Sequence, residues 1–279
     1  MNDNAETKPI TPCLWFDGDG EDAARFYCDL FPDARIVAAT PVAVDFEIAG
    51  QPFVSLNGGP QYSPNPSISF RYVCSDEEEQ QRLTAGLAAG GQVLSERADV
   101  FWPQDSVWVQ DRWGVAWYLL VDASAREAQR IVPVLHFGGD QRDRMDEALE
   151  LYACLFPRIR PGDSNGAQRY AALERKGQQC LLMELPGPKT FDFDEGVSLT
   201  VYCETQEEID RYWRTLSTGG QEQMCGWLRD RFGVAWQILP SILPEILSDH
   251  DTAQKASEAL MEMKKINIEQ LIRAGKGYA

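Results

Sequence analysis

The chain has 279 residues, 44 % of them hydrophobic, and a formal net charge of −17. This length suits one large domain or two of ordinary size, and the apolar fraction is sufficient for a buried core. The negative charge argues against nonspecific binding to nucleic acid or anionic membranes, because both require clustered cations. The amino terminus has no signal-peptide pattern, and no apolar run approaches the roughly 20 residues that span a bilayer. We therefore expect a cytoplasmic protein with no nucleic-acid or membrane partner.

Four stretches recur in the same order in the two halves of the chain. The pairs are PCLWFDGD (12–19) with PVLHFGGD (133–140), EDAARFYCDLFP (21–32) with DEALELYACLFP (146–157), ISFRYVCSDEEE (68–79) with VSLTVYCETQEE (197–208), and DRWGVAW (111–117) with DRFGVAW (230–236). The spacing between copies changes little, so the differences fall in loops and the pattern indicates a duplicated domain of about 110 residues. We predict a tail (1–9), a first domain (10–121), a linker (122–130), a second domain (131–240) and a helical extension (241–279).

Each half has the same predicted order of elements. In the first half a strand (ITPCLWF) is followed by an amphipathic helix, three short strands, a further strand (SISFRYVC), a second helix, and two or three closing strands. Ser75 with Glu78, and Thr205 with Glu208, have the spacing of a capping box at the start of the second helix. The pairs Gly90-Gly91 and Gly219-Gly220 end those helices. Each half is therefore an α+β domain of two βαβββ units, which must pair to close a core.

These motifs resemble the vicinal-oxygen-chelate superfamily, which includes glyoxalase I and bleomycin-resistance proteins. PCLWFDGDGEDAARFYCDLFPDARI, QDRWGVAW and the tail LMEMKKINIEQL are similar to its PhnB-like branch, also labelled demethylubiquinone methyltransferase-like. The resemblance implies two tandem glyoxalase-like domains whose curved mixed sheets of paired βαβββ units each enclose a cavity. It also implies that the duplication makes an intrachain pseudo-dimer, and further pairing into a homodimer is left open.

The resemblance further implies metal ligands near the start of the first strand and just after GVAW. The first position holds Thr11 and Val132 in the two halves, and the second holds Tyr118 and Gln237. These residues favour no metal, so no cofactor is predicted. A divalent metal in the second domain is kept as an alternative, because strand alternation points His136 to the face of Val132. Its candidate ligands are His136, Glu184 and Gln237.

The repeated DR[WF]GVAW stretch is interpreted as a tight turn. Asp111 can hold turn amides, Gly114 can adopt the positive φ that the turn needs, and Trp117 then enters a buried strand. Arg112 is expected to pair with an acidic neighbour. The second copy predicts the same roles for Asp230, Arg231, Gly233 and Trp236.

Aromatic residues predict a pocket for a small apolar or aromatic ligand. Its candidate lining residues are Trp15, Ser55, Asn57, Arg71, Trp117, Tyr118, His136 and Trp236. The same side chains fit a filled core equally well, which would make the chain a structural or interaction protein.

Catalysis is left undecided by the sequence. The chain contains no GxGxxG after a strand, no GxxxxGK[ST], no GxSxG and no HExxH. No Gly-rich loop that could bind a nucleotide-like methyl donor follows a first strand. No catalytic residue is assigned. The enzymatic alternative is a divalent-metal-dependent lyase, isomerase or dioxygenase of the same superfamily.

Overall fold

The computed structural model describes residues 10–95, 106–122, 129–161, 169–175, 177–185, 191–248 and 250–276. The predicted tail (1–9) and most of the predicted linker (123–128) lie outside the described residues. The chain forms two compact units, a larger one over residues 12–197 and a smaller one over residues 198–279 with the described residues up to Thr11.

The larger unit begins with the first βαβββ unit of the first repeat. Its elements are β1 (Thr11–Phe16), α1 (Gly20–Leu30), β2 (Ala34–Ala39), β3 (Ala43–Ile48) and β4 (Gln51–Asn57). Strand β1 pairs with β4 in parallel, and β4, β3 and β2 then pair antiparallel in that order. Helix α1 packs its buried face on β3 and β4.

Two further βαβββ units of the larger unit share one eight-stranded sheet. Their elements are β5 (Ile68–Cys74), α2 (Glu77–Ala88), β6 (Gln92–Ser95), β7 (Val107–Gln110), β8 (Ala116–Val121), β9 (Ile131–Phe137), a 3-10 turn (Gly139–Arg144), α3 (Met145–Tyr152), β10 (Arg158–Pro161), β11 (Tyr170–Arg175) and β12 (Gln178–Glu184). The strand order is β10-β11-β12-β9-β5-β8-β7-β6. Strands β5 and β9 pair antiparallel, so this sheet joins the first repeat to the second within one chain.

The first repeat has a shared aromatic core, which lies against one face of this sheet. Phe70 and Trp117 come from β5 and β8, and Phe53 and Tyr27 come from β4 and α1. The ring centroids of Phe53 and Phe70 are 5.1 Å apart, and those of Tyr27 and Trp117 are 5.4 Å apart. Successive side chains of a strand point to opposite faces, so Tyr118, next to Trp117, faces away from this core.

The second helix of each repeat starts at a side-chain cap, as predicted, but one of the two caps is shifted. Thr205 accepts a hydrogen bond from the Glu208 amide at 3.2 Å. In the first repeat the cap is Asp76, which accepts from the Glu79 amide at 2.8 Å. The predicted pair Ser75 and Glu78 is therefore wrong by one residue. Aspartate is as good an N-cap as serine, and Asp76 is the residue that aligns with Thr205.

The smaller unit contains the last βαβββ unit and the extension. Its elements are β13 (Val197–Cys203), α4 (Gln206–Ser217), β14 (Gln221–Glu222), β15 (Trp227–Arg229), β16 (Ala235–Pro240), α5 (Leu243–Ser248), α6 (His250–Met261) and α7 (Ile268–Lys276). The four strands run in the order β14-β15-β16-β13. No helix in the described part of the chain is both long and apolar enough to cross a membrane.

The extension packs on the second repeat through a break between α6 and α7. The Met263 and Lys264 carbonyls accept hydrogen bonds from the amides of Cys225 and Gly226, at 2.7 and 2.9 Å. These carbonyls are therefore used by the loop before β15 instead of continuing a helix. Ile266 is fully buried at the same place.

Candidate functional site

One face of the eight-stranded sheet brings together three of the predicted pocket residues. Arg71 on β5 lies opposite Tyr118 on β8 and opposite Val132 on β9. His136 lies four residues beyond Val132, so it shares their face, and its backbone amide donates to the Ser67 carbonyl at 2.9 Å. We call this side of the sheet the His136 face.

Three aromatic rings surround His136 on this face, and we call them the aromatic cage: Trp108, Tyr118 and Phe191. Trp108 and Tyr118 are stacked, with ring centroids 5.1 Å apart and planes only 5° from parallel. The imidazole centroid lies 5.6 Å from Trp108, 5.5 Å from Tyr118 and 6.5 Å from Phe191. The Trp108 indole also donates to the Ser69 hydroxyl at 3.3 Å, which fixes the ring over β5. Trp108 and Phe191 are not among the candidate lining residues predicted from the sequence, although Trp108 belongs to the cluster of first-half tryptophans that suggested an aromatic pocket.

His136 is the polar centre of the cage. Its side chain is 1 % exposed, and neither ring nitrogen has a hydrogen-bond partner within the described residues. Burial lowers the pKa of His136 to about 3, so the imidazole is neutral at pH 7. A neutral imidazole presents one donor and one acceptor, and burying such a group unpaired costs about 1–3 kcal/mol. The site therefore contains one hydrogen-bond donor and one acceptor of His136, both surrounded by aromatic rings.

Arg71 lies at the other end of the same face. It is four residues from Ser67, the neighbour of His136, which corresponds to about 13 Å along the strand. Burial lowers the pKa of Arg71, and the nearby charge of Asp122 opposes that effect. Burial also raises the pKa of Tyr118, so its phenol is un-ionised at neutral pH. The face thus carries one guanidinium on the residue opposite Tyr118, about 13 Å along the strand from His136.

Two of the three candidate metal ligands, His136 and Glu184, do not come together. Glu184 pairs in register with Phe137, whereas Met183 pairs with His136, so Glu184 points to the opposite face of the sheet. There its Oε1 lies 3.6 Å from Arg169 Nη1. Burial raises the pKa of Glu184, and Arg169 acts against that rise.

Gln237 belongs to the smaller unit and is held there by polar contacts. Its amide nitrogen donates to the Cys225 carbonyl at 3.1 Å, and its amide oxygen accepts from the Thr200 hydroxyl at 3.4 Å. Across the described ranges, no group of three or more His, Cys, Asp or Glu side chains is arranged to hold a metal ion. His136 lies in the cage and Glu184 lies on the opposite face of the same sheet, so these two candidates do not share a site.

The pocket residues predicted near the amino terminus lie elsewhere. Asn57 accepts from the Gly20 amide at 2.9 Å and donates to the Pro41 carbonyl at 3.0 Å, so it anchors the start of α1. Ser55 is fully buried beneath the same end of the helix. Trp15 lies on the other face of β1 from these contacts, where its indole donates to the Gly59 carbonyl at 2.8 Å.

The repeated DR[WF]GVAW stretch forms the predicted turn in both copies. Asp111 Oδ1 accepts from the amides of Trp113 and Val115 at 3.0 and 3.1 Å, and Oδ2 accepts from the Trp117 indole at 3.2 Å. Tyr27 adds its hydroxyl to Oδ2 at 2.7 Å. Burial raises the pKa of Asp111 to about 6, although the four donors oppose the rise. Asp111 therefore connects the turn, strand β8 and helix α1 by hydrogen bonds.

The second copy repeats this geometry. Asp230 accepts from the amides of Phe232 and Val234 and from the Trp236 indole, at 2.8, 3.1 and 2.9 Å. Gly114 and Gly233 both have a φ of +94°. Trp117 and Trp236 are thus core residues tied to an aspartate, and Trp117 lies on the opposite face from the cage.

In the first copy of the repeated turn, the arginine takes a different partner from the one expected. The Arg112 guanidinium lies over the Trp113 ring, 4.0 Å from its centroid, and forms no ion pair with a described acidic residue. Arg231 lies over Phe232 at 5.3 Å. Both arginines therefore make cation–π contacts with the ring that follows them.

Comparison with known proteins places the chain in a family. The model of the family described as 3-demethylubiquinone-9 3-methyltransferase matches residues 8–120 and again residues 129–239. A PhnB protein from Bacillus cereus is 26 % identical, with 41 % of this chain and 100 % of that chain covered and a TM-score of 0.37. Glyoxalase I from Zea mays is 12 % identical, with 86 % of this chain and 95 % of that chain covered and a TM-score of 0.54.

The maize enzyme shows the fold alone, because its identity with this chain is low. No curated protein sequence matches the chain. The family model, however, covers most of the chain in two successive copies, and both copies contain the DR[WF]GVAW turn. The chain therefore belongs to the PhnB-like 3-demethylubiquinone-9 3-methyltransferase family, as a tandem duplication with a glyoxalase-like fold.

Proposed function

We propose that the protein binds a small apolar or aromatic molecule in the aromatic cage, without a metal. The observation that carries this proposal is His136, which is buried among three rings with both nitrogens unpartnered within the described residues. Buried polar groups are nearly always hydrogen-bonded, and the exceptions concentrate where a ligand or water completes the pairing. A ligand that forms hydrogen bonds with this imidazole would offset the free-energy cost of burying it unpaired.

The chemistry of the cage selects the ligand. The rings offer apolar area and stacking, and the neutral imidazole offers one donor and one acceptor. An uncharged aromatic molecule with a hydroxyl or carbonyl group satisfies both. Glu184, the candidate carboxylate on the neighbouring strand β12, points to the opposite face of the sheet and does not add its charge to the cage.

Entry to the cage requires a ring to move. Trp108 and Phe191 are partly exposed, whereas His136 and Tyr118 are buried beneath them. The ring centroids are 5.1–6.5 Å apart, which is contact distance for aromatic side chains. The bound molecule therefore displaces Phe191, which has the most distant centroid, and stacks on Trp108 above the imidazole.

A thermal-shift titration with 1-naphthol and indole tests the proposal. Binding to the folded state alone stabilises a protein by about 2.7 kcal/mol at a hundredfold excess over Kd. We expect His136→Phe to abolish the stabilisation by these probes. Trp117→Phe is the matched control, because Trp117 adjoins Tyr118 in sequence but faces the opposite core; it should lower stability and leave the ligand-induced shift intact.

Three outcomes would overturn all or part of the proposal. Equal shifts in wild type and in His136→Phe would place the probe outside the cage, and no shift with either probe would favour a filled core. About one equivalent of a divalent metal per chain, measured by mass spectrometry after purification without chelator or nickel column, would refute the metal-free part.

A further inference from the structure

A second candidate site lies in the smaller unit, far along the chain from the cage residues. It is a groove of about 570 Å³ between the end of α4, strand β14 and the break between α6 and α7. This volume lies in the range of small-molecule sites. Its lining residues are Asp210, Trp213, Arg214, Ser217, Thr218, Glu222, Lys264 and Lys265.

The acidic groups of the groove are engaged within it. Lys265 Nζ lies 2.6 Å from Asp210 Oδ1, and the Trp213 indole donates to Glu222 Oε1 at 2.8 Å. Arg214 and Lys264, by contrast, are exposed and their side chains form no hydrogen bond or ion pair with any described residue. The groove therefore presents two exposed cations without an ion pair among the described residues. Hydrogen bonds from Lys265 and Gln206 lower the pKa of Asp210, and the charge of Arg214 adds to that effect.

The first repeat supplies an internal comparison for the groove. Each lining position on α4 and β14 has a counterpart 129 residues earlier, on α2 and β6. The counterparts of Asp210, Trp213, Arg214, Ser217, Thr218 and Glu222 are Gln81, Thr84, Ala85, Ala88, Ala89 and Val93. The first repeat thus has small or apolar residues at most of the positions where the second has an indole, charges and hydroxyls.

The helix dipole explains only part of this difference. A cation in the last turn of a helix is stabilising, so Arg214 suits the end of α4 for that reason alone. Lys264 and Lys265, however, come from the extension, which follows the second repeat and has no counterpart after the first. The ion pair with Asp210 explains the position of Lys265, whereas the placement of Lys264 in the same groove as Arg214 is explained by neither the dipole nor an ion pair among the described residues.

We propose that this groove binds a small organic anion, a carboxylate or phosphate monoester with a compact apolar body. Arg214 and Lys264 bind the anionic group by charge-assisted hydrogen bonds, and Ser217 adds a hydroxyl donor. The apolar body lies against Trp213 and the aliphatic part of Lys265. The site is independent of the aromatic cage.

Isothermal titration calorimetry with phenyl phosphate as the probe tests this proposal. We expect phenyl phosphate to bind, inorganic phosphate to bind more weakly, and neutral benzyl alcohol to give no heat at this site. The double variant Arg214→Gln/Lys264→Gln should weaken phenyl phosphate binding by about tenfold or more. The control Arg25→Gln/Arg35→Gln removes the same charge from exposed arginines of the larger unit and should bind as wild type does.

The variants also separate this site from the cage. Phenyl phosphate binding should persist in His136→Phe and fall with rising salt. Binding that is lost in His136→Phe but kept in the groove variant would place the probe in the cage and overturn the proposal. The proposal also fails if wild type shows no heat at millimolar phenyl phosphate, or if the groove variant and the charge control bind equally.

Discussion

Replacing His136 by Phe tests whether the buried histidine lowers the free energy of unfolding. In wild type the imidazole is buried with both nitrogens unpartnered among the described residues, at a cost of about 1–3 kcal/mol for each unpaired group. Phe removes both nitrogens but adds volume, and overpacking costs about 1 kcal/mol or more. We therefore expect His136→Phe to be more stable than wild type at pH 7 by about 1–2 kcal/mol while losing ligand binding. His136→Leu, which adds less volume, should show the same gain.

The same residue predicts a pH dependence. The folded pKa of about 3 lies below the ordinary value of 6.5, so the unfolded chain binds a proton that the native protein does not. Stability from this group is complete above about pH 6.5 and is lost as the pH falls toward 3. Between pH 7 and 5 the loss is about 2 kcal/mol.

Asp111 has the opposite effect over part of that range. Its folded pKa of about 6 lies above the ordinary value of 3.8, so its contribution to stability falls as the pH rises from about 4 to 6. The wild-type curve therefore mixes the two groups. The difference between wild type and His136→Phe isolates the histidine, because Asp111 and all other groups are common to both proteins.

The assay is urea unfolding of wild type, His136→Phe and His136→Leu at pH 7 and pH 5. We expect the gap in unfolding free energy between each variant and wild type to widen by about 2 kcal/mol at pH 5. If both variants are less stable than wild type at pH 7 and the gap does not change with pH, His136 is hydrogen-bonded in the native protein. The reasoning for the cage would then be wrong.

Three further substitutions test the remaining geometry. Asp111→Asn should cost about 2–4 kcal/mol in urea unfolding, because an amide NH₂ cannot accept from both Tyr27 and the Trp117 indole; a cost under about 1 kcal/mol would contradict that role. Gly114→Ala should cost about 3 kcal/mol or more, since its Cβ would lie 2.2 Å from the Pro64 carbonyl oxygen at positive φ; equal stability to wild type would refute the clash. Glu184→Gln should change stability by less than about 1 kcal/mol and leave the metal content by mass spectrometry unchanged, whereas loss of a bound metal would restore Glu184 as a ligand.

Much of the fold follows from the repeat and from local pattern. The predicted first strand, first helix and DR[WF]GVAW turn appear at the expected residues because short-range periodicity, caps and glycines determine them. The first-repeat cap was misassigned to Ser75, although the alignment of Thr205 with Asp76 contained the answer. The antiparallel pairing of β5 with β9 is different, because it depends on contacts between repeats that no local pattern encodes.

The candidate site was less accessible to sequence reasoning. Strand alternation placed His136 on the correct face relative to Val132, and it could also have separated Tyr118 from Trp117. The orientation of Glu184 depends on the register of β12 against β9, which a single sequence does not specify. Phe191 lies in a segment rich in Pro, Gly and Asp, where no periodicity signals a ring that reaches the cage.

Duplication within one chain allows the two repeats to differ at the positions of both proposed sites. In a symmetric homodimer every substitution occurs twice, so a buried unpaired imidazole would be present twice, at twice the cost. In this chain the position equivalent to His136 is Trp15, whose indole donates a hydrogen bond to the Gly59 carbonyl. Of these two equivalent positions, only that of His136 therefore carries a buried imidazole. The groove shows the same asymmetry, with Arg214 where the first repeat has Ala85. Fusing the repeats thus lets the second repeat carry His136 and Arg214 while the first repeat retains tryptophan and alanine at the equivalent positions.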